Sequence, residues 1–403
     1  MWRTTPVDAR RKARSVDSKL TQMSGSGPLA GVLVVDLSRV LAGPFATMLM
    51  ADLGARVIKV ERPGGGDDSR TYGPFIDGDS LYFARVNRGK ESIALDLRSA
   101  ADLDLLHAML GRADVLVENF RPGVMDRLGL GYEPLAARYP GLVYASISGF
   151  GQTGPWRLRP AYDSVVQGTS GLMSITGAPE GEPTKPGLPI SDLSAGLYAF
   201  GAILAALRGR DAGPGHGRGS RVDIAMHDAT VSLLEGAALA YLASGQAPPR
   251  IGNAHYAIAP FDTFRASDGP LVICAANDGL FASLAASLER SDLVTNPLFV
   301  SNALRHDHRE ALKKEIEAAL AVRTAVQWLE ILGAAGVPCG PVSSIAEALS
   351  SEQAAVRELV IDVGGVPMPG NPMKLGGYPD LHPEPAPRLD EQGDKLRAEF
   401  ASP

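Results

Sequence analysis

Cysteine is nearly absent. Cys274 and Cys339 are the two in 403 residues, far apart and without metal-ligand spacing, so no disulfide framework is expected and a reducing, cytoplasmic setting is. Aromatic residues are scarce at 6%, too few for a base-stacking surface, and a formal charge of −6 gives no attraction to phosphate backbones or anionic membranes. Nucleic acid is therefore not an expected partner. No apolar run reaches the roughly 18–20 residues of a membrane span, because Gly, Ser or charge interrupts the longest ones, and no membrane partner is expected either. The seven histidines form no metal or triad pattern: His306 and His308 lie two apart at the start of a charged helix, His216 sits in a Gly-rich turn, His227 adjoins Asp228, and His255 lies in Gly252-Asn253-Ala254-His255-Tyr256. No metal is expected. A G-x-G-x-x-G phosphate loop is missing too: the first strand-to-helix turn reads Ser38-Arg39-Val40-Leu41-Ala42-Gly43-Pro44, which leaves a nicotinamide dinucleotide site unsupported.

What is present has the makeup of an enzyme. The chain is longer than the roughly 250–300 residues one core serves, and 45% hydrophobic with 21% charged residues is ordinary for a globular protein. Segment 32–37 reads as a strand, 44–53 as a helix and 56–60 as a strand, a βαβ unit with a parallel sheet. Helix at 101–110, strand at 115–118, helix at 134–138 and strand at 142–147 continue the alternation, so the N-terminal half is a doubly wound α/β fold. A Gly/Pro-rich stretch, 177–189, leads into a long apolar helix, 193–207, stopped by Gly209 and the tract 211–219; being apolar all round, it should be buried. From 223 the composition turns to Ala/Leu-rich helices, a hairpin (261–265 and 271–275) and charged helices at 307–321 and 325–335. The expected organisation is a disordered tail over 1–26, a large domain over 27–222, a small domain with linkers over 223–336, and a return to the large domain over 337–403.

Two groups of residues could carry chemistry. Asp192 stands where the Gly/Pro stretch enters the apolar helix. Its structural reading is an N-cap. Its chemical reading is a carboxylate nucleophile, ionised at neutral pH and needing no general base, with helix-terminal N–H groups near the charge that develops on an acyl oxygen. The second group is basic: Arg39, Arg62, Arg88, Lys90, Arg98, Arg121 and Arg127. Several follow strand ends, where ligands bind in such sheets, so they are either solvated surface charges or a local site for a phosphorylated cofactor.

Several ordered segments resemble the family III CoA-transferases, which also include the α-methylacyl-CoA racemases. They are Val35-Asp36-Leu37-Ser38-Arg39-Val40-Leu41-Ala42-Gly43-Pro44, Leu53-Gly54-Ala55-Arg56-Val57-Ile58-Lys59-Val60-Glu61-Arg62-Pro63-Gly64, Asn87-Arg88-Gly89-Lys90, Val117-Glu118-Asn119-Phe120-Arg121-Pro122-Gly123-Val124, Gly149-Phe150-Gly151-Gln152-Thr153-Gly154-Pro155, Arg221-Val222-Asp223-Ile224-Ala225-Met226 and Gly336-Val337-Pro338-Cys339-Gly340-Pro341-Val342. The likeness runs from about Pro28 to about Tyr378. It implies an interlocked homodimer, each chain with a Rossmann-like large domain built by both chain ends and a smaller domain between. It also implies Asp192 as the catalytic nucleophile, with Ser191 a small departure from the family's G-D-S segment.

The implied chemistry moves CoA from an acyl-CoA to a carboxylic acid through an Asp192 anhydride and an aspartyl-CoA thioester, with no cofactor beyond CoA itself. Racemases of this kind pair the aspartate with a His thirty positions earlier, in Ala-Gly-His-Asp. Here that segment is Pro160-Ala161-Tyr162-Asp163, and a phenol is a poor proton acceptor at neutral pH. A racemase and a CoA-binding protein without turnover remain the alternatives. Likeness to formyl-CoA transferase implies CoA contacts at Val40, Ala42, Arg62, the segment 95–98 with Leu95 and Arg98, Asn119, Phe120, Arg121 and Arg127. Leu41 replaces that enzyme's first-turn glutamine, which argues against formyl-CoA and oxalate. Segment 252–260 resembles instead the transferases that use succinyl-CoA with dicarboxylates such as glutarate or itaconate, with Tyr162, Asp163, Gln167, His255 and Tyr256 as candidates for the acid pocket.

Overall fold

The computed structural model describes residues 27–379 and 381–401; the tail expected over 1–26 lies outside the described residues. Six strands, β1 Leu33–Asp36, β2 Arg56–Glu61, β3 Lys90–Ala94, β4 Val115–Glu118, β5 Val143–Ser148 and β6 Arg221–Ala225, form one sheet in the order β3-β2-β1-β4-β5-β6. The pairings from β3 across to β5 are all parallel. Runs such as Leu33-Val34-Val35 and Val115-Leu116-Val117 are apolar on successive positions because a parallel sheet is covered on both faces. Helix α1, Ala42–Asp52, joins β1 to β2, and helix α2, Ala100–Leu110, joins β3 to β4. The chain thus runs outward from β1 to β3 and then returns to the other side of β1. That reversal opens a crevice beyond the carboxyl ends of the strands, the usual ligand position in such sheets.

The core of this sheet is closed by both ends of the described chain. Leu106, Met109 and Leu110 of α2, spaced to share one helix face, pack with Val35, Ile58 and Leu116 from the strands and with Leu396 and Phe400 of the C-terminal helix Gly393–Ala401. Arg56 clamps the same junction, its guanidinium forking between Glu91 at 2.5 Å and Glu399 at 2.7 Å.

The chain divides into two compact units. One comprises the described residues through Ile147, then Ala199–Val222 and Ile361 onward; the other comprises Ser148–Tyr198 and Asp223–Val360. The second unit has its own core around an antiparallel sheet of β7 Phe261–Arg265, β8 Pro270–Cys274 and β9 Cys339–Pro341. Leu312, Ile316 and Leu320, four residues apart on the helix Arg309–Leu320, meet Phe264, Ile273, Phe281 and Trp328 there. Cys339–Pro341 is one edge strand of this small sheet, and the chain re-enters the first unit at Ile361. Residues 148–198, placed by sequence in the large domain, group with the second unit.

Two further segments, α3 Asp163–Thr169 and α4 Ile190–Ala212, differ from the sequence reading. The first was not anticipated. The second runs past Gly209, which weakens a helix by about 1 kcal/mol without ending it. By length and composition α4 could cross a membrane, a property the sequence reading missed because glycines break the run. It is not buried all round: Ala195, Ala199, Ile203 and Leu207 form a buried stripe, while Leu197 and Tyr198 are exposed, the pattern of a helix packed on one face.

Candidate active site

The crevice at the sheet's carboxyl edge is a cleft of about 560 Å³. Its walls come from the segments that follow four adjacent strands: Leu37, Ser38 and Arg39 after β1, Arg62 and Pro63 after β2, Leu95 to Arg98 after β3, and Phe120 after β4. Asn119 ties two of these loops together at the point where strand order reverses. Its side-chain oxygen accepts the Arg39 N–H at 2.9 Å and its amide donates to the Arg39 carbonyl at 2.7 Å.

The floor is a lattice of buried charges. Asp36 and Lys59 stand opposite one another in register on β1 and β2. Asp36 accepts from Ser38, from Thr47 at 2.7 Å and from the Lys90 ammonium at 3.0 Å, and Lys90 also donates to Thr47 and Asn87. Lys59 donates to Asp67 at 2.9 Å and to the Ser38 carbonyl at 2.7 Å. Glu61 accepts from Arg70 and Ser92, each at 2.7 Å, and from the Asp67 N–H. Asp67 in turn holds the N–H of Val40 at 3.1 Å. Val40 has φ 69°, a left-handed conformation that is strained for a β-branched residue, so the lattice holds the first turn in a shape it would not adopt alone.

Burial favours the neutral form of each group, and the neighbours oppose it. For Asp36, burial pushes the carboxyl up, but Lys90, Lys59 and the hydroxyls of Ser38 and Thr47 outweigh it and bring the value down to about 2. Glu61 and Asp67 are likewise held below the usual range against burial, chiefly by Arg70 and Lys59 for the first and by Lys59 for the second. Lys59 stays above its ordinary value because, despite burial, Asp67, Asp36 and Glu61 surround it. Lys90 is pushed down to about 8 by burial, with Asp36 pulling the other way and Lys59 adding to the fall.

At the rim the charges are exposed. Asp68 bridges Arg39 and Arg62, at 3.1 Å to each, and Arg39 lies over the Phe120 ring. Such solvated pairs are worth about 0–1 kcal/mol, so both guanidinium groups can change partner at little cost.

Among the residues singled out in the sequence, Arg62, Leu95, Arg98 and Phe120 line the cleft, and Asn119 braces it. Val40 and Ala42 shape the first turn from behind, Ala42 being buried. Arg121 and Arg127 are exposed outside the lining. Arg88 and Lys90 are not surface cations: Arg88 is buried on Asp52 at 2.7 Å and Lys90 on Asp36. Lys59, Glu61, Asp67 and Asp68 were missed. A Lys and a Glu inside Val57-Ile58-Lys59-Val60-Glu61 were the available signal, since a charge in a strand buried on both faces needs a partner.

Asp192 belongs to the second unit and is half-buried. It is not the N-cap. The Pro189 carbonyl accepts the first helical bond, from the Leu193 N–H at 3.0 Å, which makes Asp192 the third residue of α4. Asp163 and Gln167 are beside it in the structure: Asp163 accepts the Ser191 N–H at 3.0 Å and the Gln167 amide at 2.6 Å. Tyr162, next to Asp163, is exposed. His255 and Tyr256 stack on one another, and the His255 Nδ1 accepts the N–H groups of Ala257 and Ile258, a turn-forming role. Among the described residues no group of three or more His, Cys, Asp or Glu could hold a metal ion.

Residues 29–393 match the family model of CoA-transferase family III. The chain is 50% identical over 388 residues, 96% of its length and 99% of the relative's, to a protein of Acetobacter aceti named acetyl-CoA:oxalate CoA-transferase. It is 39% identical over 370 residues, 90% of its length and 84% of the relative's, to the succinyl-CoA:glutarate CoA-transferase of Mus musculus. The crystal structure of a CAIB/BAIF family protein from Brucella suis matches with a TM-score of 0.83 and 40% identity, covering 93% of this chain and all of that one. The chain belongs to CoA-transferase family III. It is an enzyme, a CoA-transferase, and CoA thioesters are its substrates.

The charge lattice sets a pH limit on the fold. Asp36, Glu61 and Asp67 titrate lower folded than unfolded, so the unfolded chain takes up protons first as pH falls, and the stability they give is present above the ordinary carboxylate range and lost below it. Denaturant titration should show unfolding free energy falling as pH drops from about 5 through about 2, with about 2 kcal/mol lost from Asp36 alone over that interval. Stability that stays level across that interval would contradict the lattice.

Proposed function

We propose that the enzyme moves CoA from succinyl-CoA or a similar acyl-CoA to a dicarboxylic acid, with Asp192 as the relay. The observation that carries the CoA half of this reading is the cleft, where Arg39, Arg62 and Arg98 converge over a floor of neutralised charge. Guanidinium forks suit phosphate oxygens, and the rim pairs release them cheaply. The acid half is supported by the names of the two relatives. Leu41 does not count against oxalate: it is buried outside the cleft lining, and the half-identical relative is named for that acid.

In the proposed cycle an Asp192 oxygen attacks the thioester carbon and expels CoA thiolate, leaving an acyl-aspartyl anhydride. The thiolate attacks the Asp192 carbonyl of that anhydride, which releases the donor acid and leaves an aspartyl-CoA thioester. The acceptor carboxylate attacks this thioester, again expelling thiolate, and the thiolate takes the acceptor acyl group and frees Asp192. No water, oxidant or metal enters the balance, and the thioester's energy is retained provided water is kept from the anhydride. Position three of a helix favours an anionic side chain, and the helix N-terminus favours the oxyanions that form there. Tyr162 in place of histidine supports transfer over racemisation.

The chain acts, in this reading, as an interlocked homodimer in the cytoplasm. Support for the dimer comes from apolar side chains left exposed on the helix Glu235–Ser244, where Leu239, Tyr241 and Leu242 are all uncovered.

Asp192→Ala should lower CoA exchange by about 10³-fold or more and abolish an enzyme-bound CoA adduct seen by mass spectrometry; retention of most exchange would remove the nucleophile assignment. Arg62→Ala should raise KM for the acyl-CoA about tenfold with kcat within about threefold, the pattern of lost uniform binding. An unchanged KM would take Arg62 out of the cofactor site.

A further inference from the structure

The first turn of α4 is capped in an unusual way. Its leading N–H groups have no intrahelical partner, and Pro189, at the cap position, has no side-chain acceptor to offer. The acceptor comes instead from Asp163, 28 positions earlier and the first residue of α3, whose Oδ1 takes the Ser191 N–H at 3.0 Å. Asp163 is itself held from behind. Gln167, one turn along α3 and fully buried, donates to Asp163 Oδ2 at 2.6 Å and reaches the Leu188 carbonyl at 3.4 Å. One amide thus grips both the capping carboxylate and the backbone that leads into the helix, and the N–H that the carboxylate accepts belongs to Ser191, the residue immediately before Asp192.

We infer that Asp163, locked by Gln167, is a positioning residue that fixes the start of α4 and so the direction in which Asp192 presents its carboxylate. The inference rests on the reading of Asp192 as nucleophile. A covalent relay that must accept and release CoA twice per cycle needs one orientation of its attacking oxygen, and small misplacements at such a centre are expensive in rate. A second observation makes the lock adjustable in a testable way. The Gln167 Oε1 is buried without a hydrogen-bond partner, so the Gln167 amide can turn over and accept from an asparagine at 163. Asp163→Asn can then keep the contact with Gln167 and, through its own Oδ1, the contact with the Ser191 N–H, giving up only the long 3.4 Å donation from Gln167 to the Leu188 carbonyl.

The test is steady-state CoA exchange by Asp163→Ala, Asp163→Asn, Gln167→Met and Asp192→Asn in the full-length enzyme. Asp163→Ala should lose about tenfold or more in kcat with KM for acyl-CoA within about twofold, because the loss falls on the reacting group and not on cofactor binding. Asp163→Asn should recover kcat to within about threefold of wild type, which loss of folded protein would not do. Gln167→Met, close in volume, should also lower kcat with KM unchanged, and it supplies the reading if Asp163→Ala does not fold. Wild-type kcat in Asp163→Ala or Gln167→Met, or an asparagine variant no better than the alanine one, would overturn the positioning role. Full exchange by Asp192→Asn would instead overturn the nucleophile reading beneath it, so the two failures are distinct.

Discussion

Everything at the carboxyl edge of the sheet depends on two lysines and three carboxylates held out of water across β1, β2 and β3. Each would be costly alone. Removing one partner from a buried pair commonly costs about 3–5 kcal/mol, whereas replacing a whole pair with apolar groups is often neutral. The lattice is therefore better understood as a means of fixing geometry than as a source of stability. Asp36 fixes the turn through Ser38 and α1 through Thr47, and Asp67 holds the strained Val40. Glu61 sets the following loop through the Asp67 N–H and Arg70. The backbone around the cleft is thus shaped by ions that never meet solvent.

That inner order has a counterpart in the loose outer charges. Arg39 and Arg62 share Asp68 at the rim, in water, where ion pairs are weak. In the proposed cofactor site, a phosphorylated ligand would meet a rigid floor and arginines that exchange partners readily. The chain is acidic overall, so in the proposed site this local concentration of cations is what would steer an anionic cofactor to one place.

Much of the fold was legible because apolar runs and βαβ alternation report directly on a covered parallel sheet. β2 falls within one residue of its expected ends, and β4 matches them. Where sequence reading failed, charge or glycine hid the pattern. β3, Lys90-Glu91-Ser92-Ile93-Ala94, begins with three polar residues and does not look like a strand of a covered sheet, yet at the sheet's edge Lys90 is buried on Asp36 and Thr47 and Ser92 on Glu61. Arg88 and Lys90 read as either surface charges or phosphate ligands for the same reason, since sequence shows a charge but not its buried counter-ion. Gly209 read as a stop, although the helix simply absorbs it. In the cleft, Arg62 and Arg98 were accessible through their place after strands and Phe120 through the family resemblance alone, while Asp67 and Asp68 were not, because their partners lie across loop closures. Asp192 was found by its neighbours in sequence; its setting, an interior first-turn position capped from α3, needed the structure.

The central claim is that the carboxylate of Asp192 enters the covalent chemistry, and oxygen bookkeeping tests it most directly. Each cycle of the proposed relay hands one Asp192 oxygen to the departing donor acid and takes one from the acceptor carboxylate. Turnover with an acceptor acid labelled with heavy oxygen, followed by mass spectrometry of the peptide containing Asp192, should show label in that aspartate. Sustained CoA exchange with no label in the peptide would contradict the account.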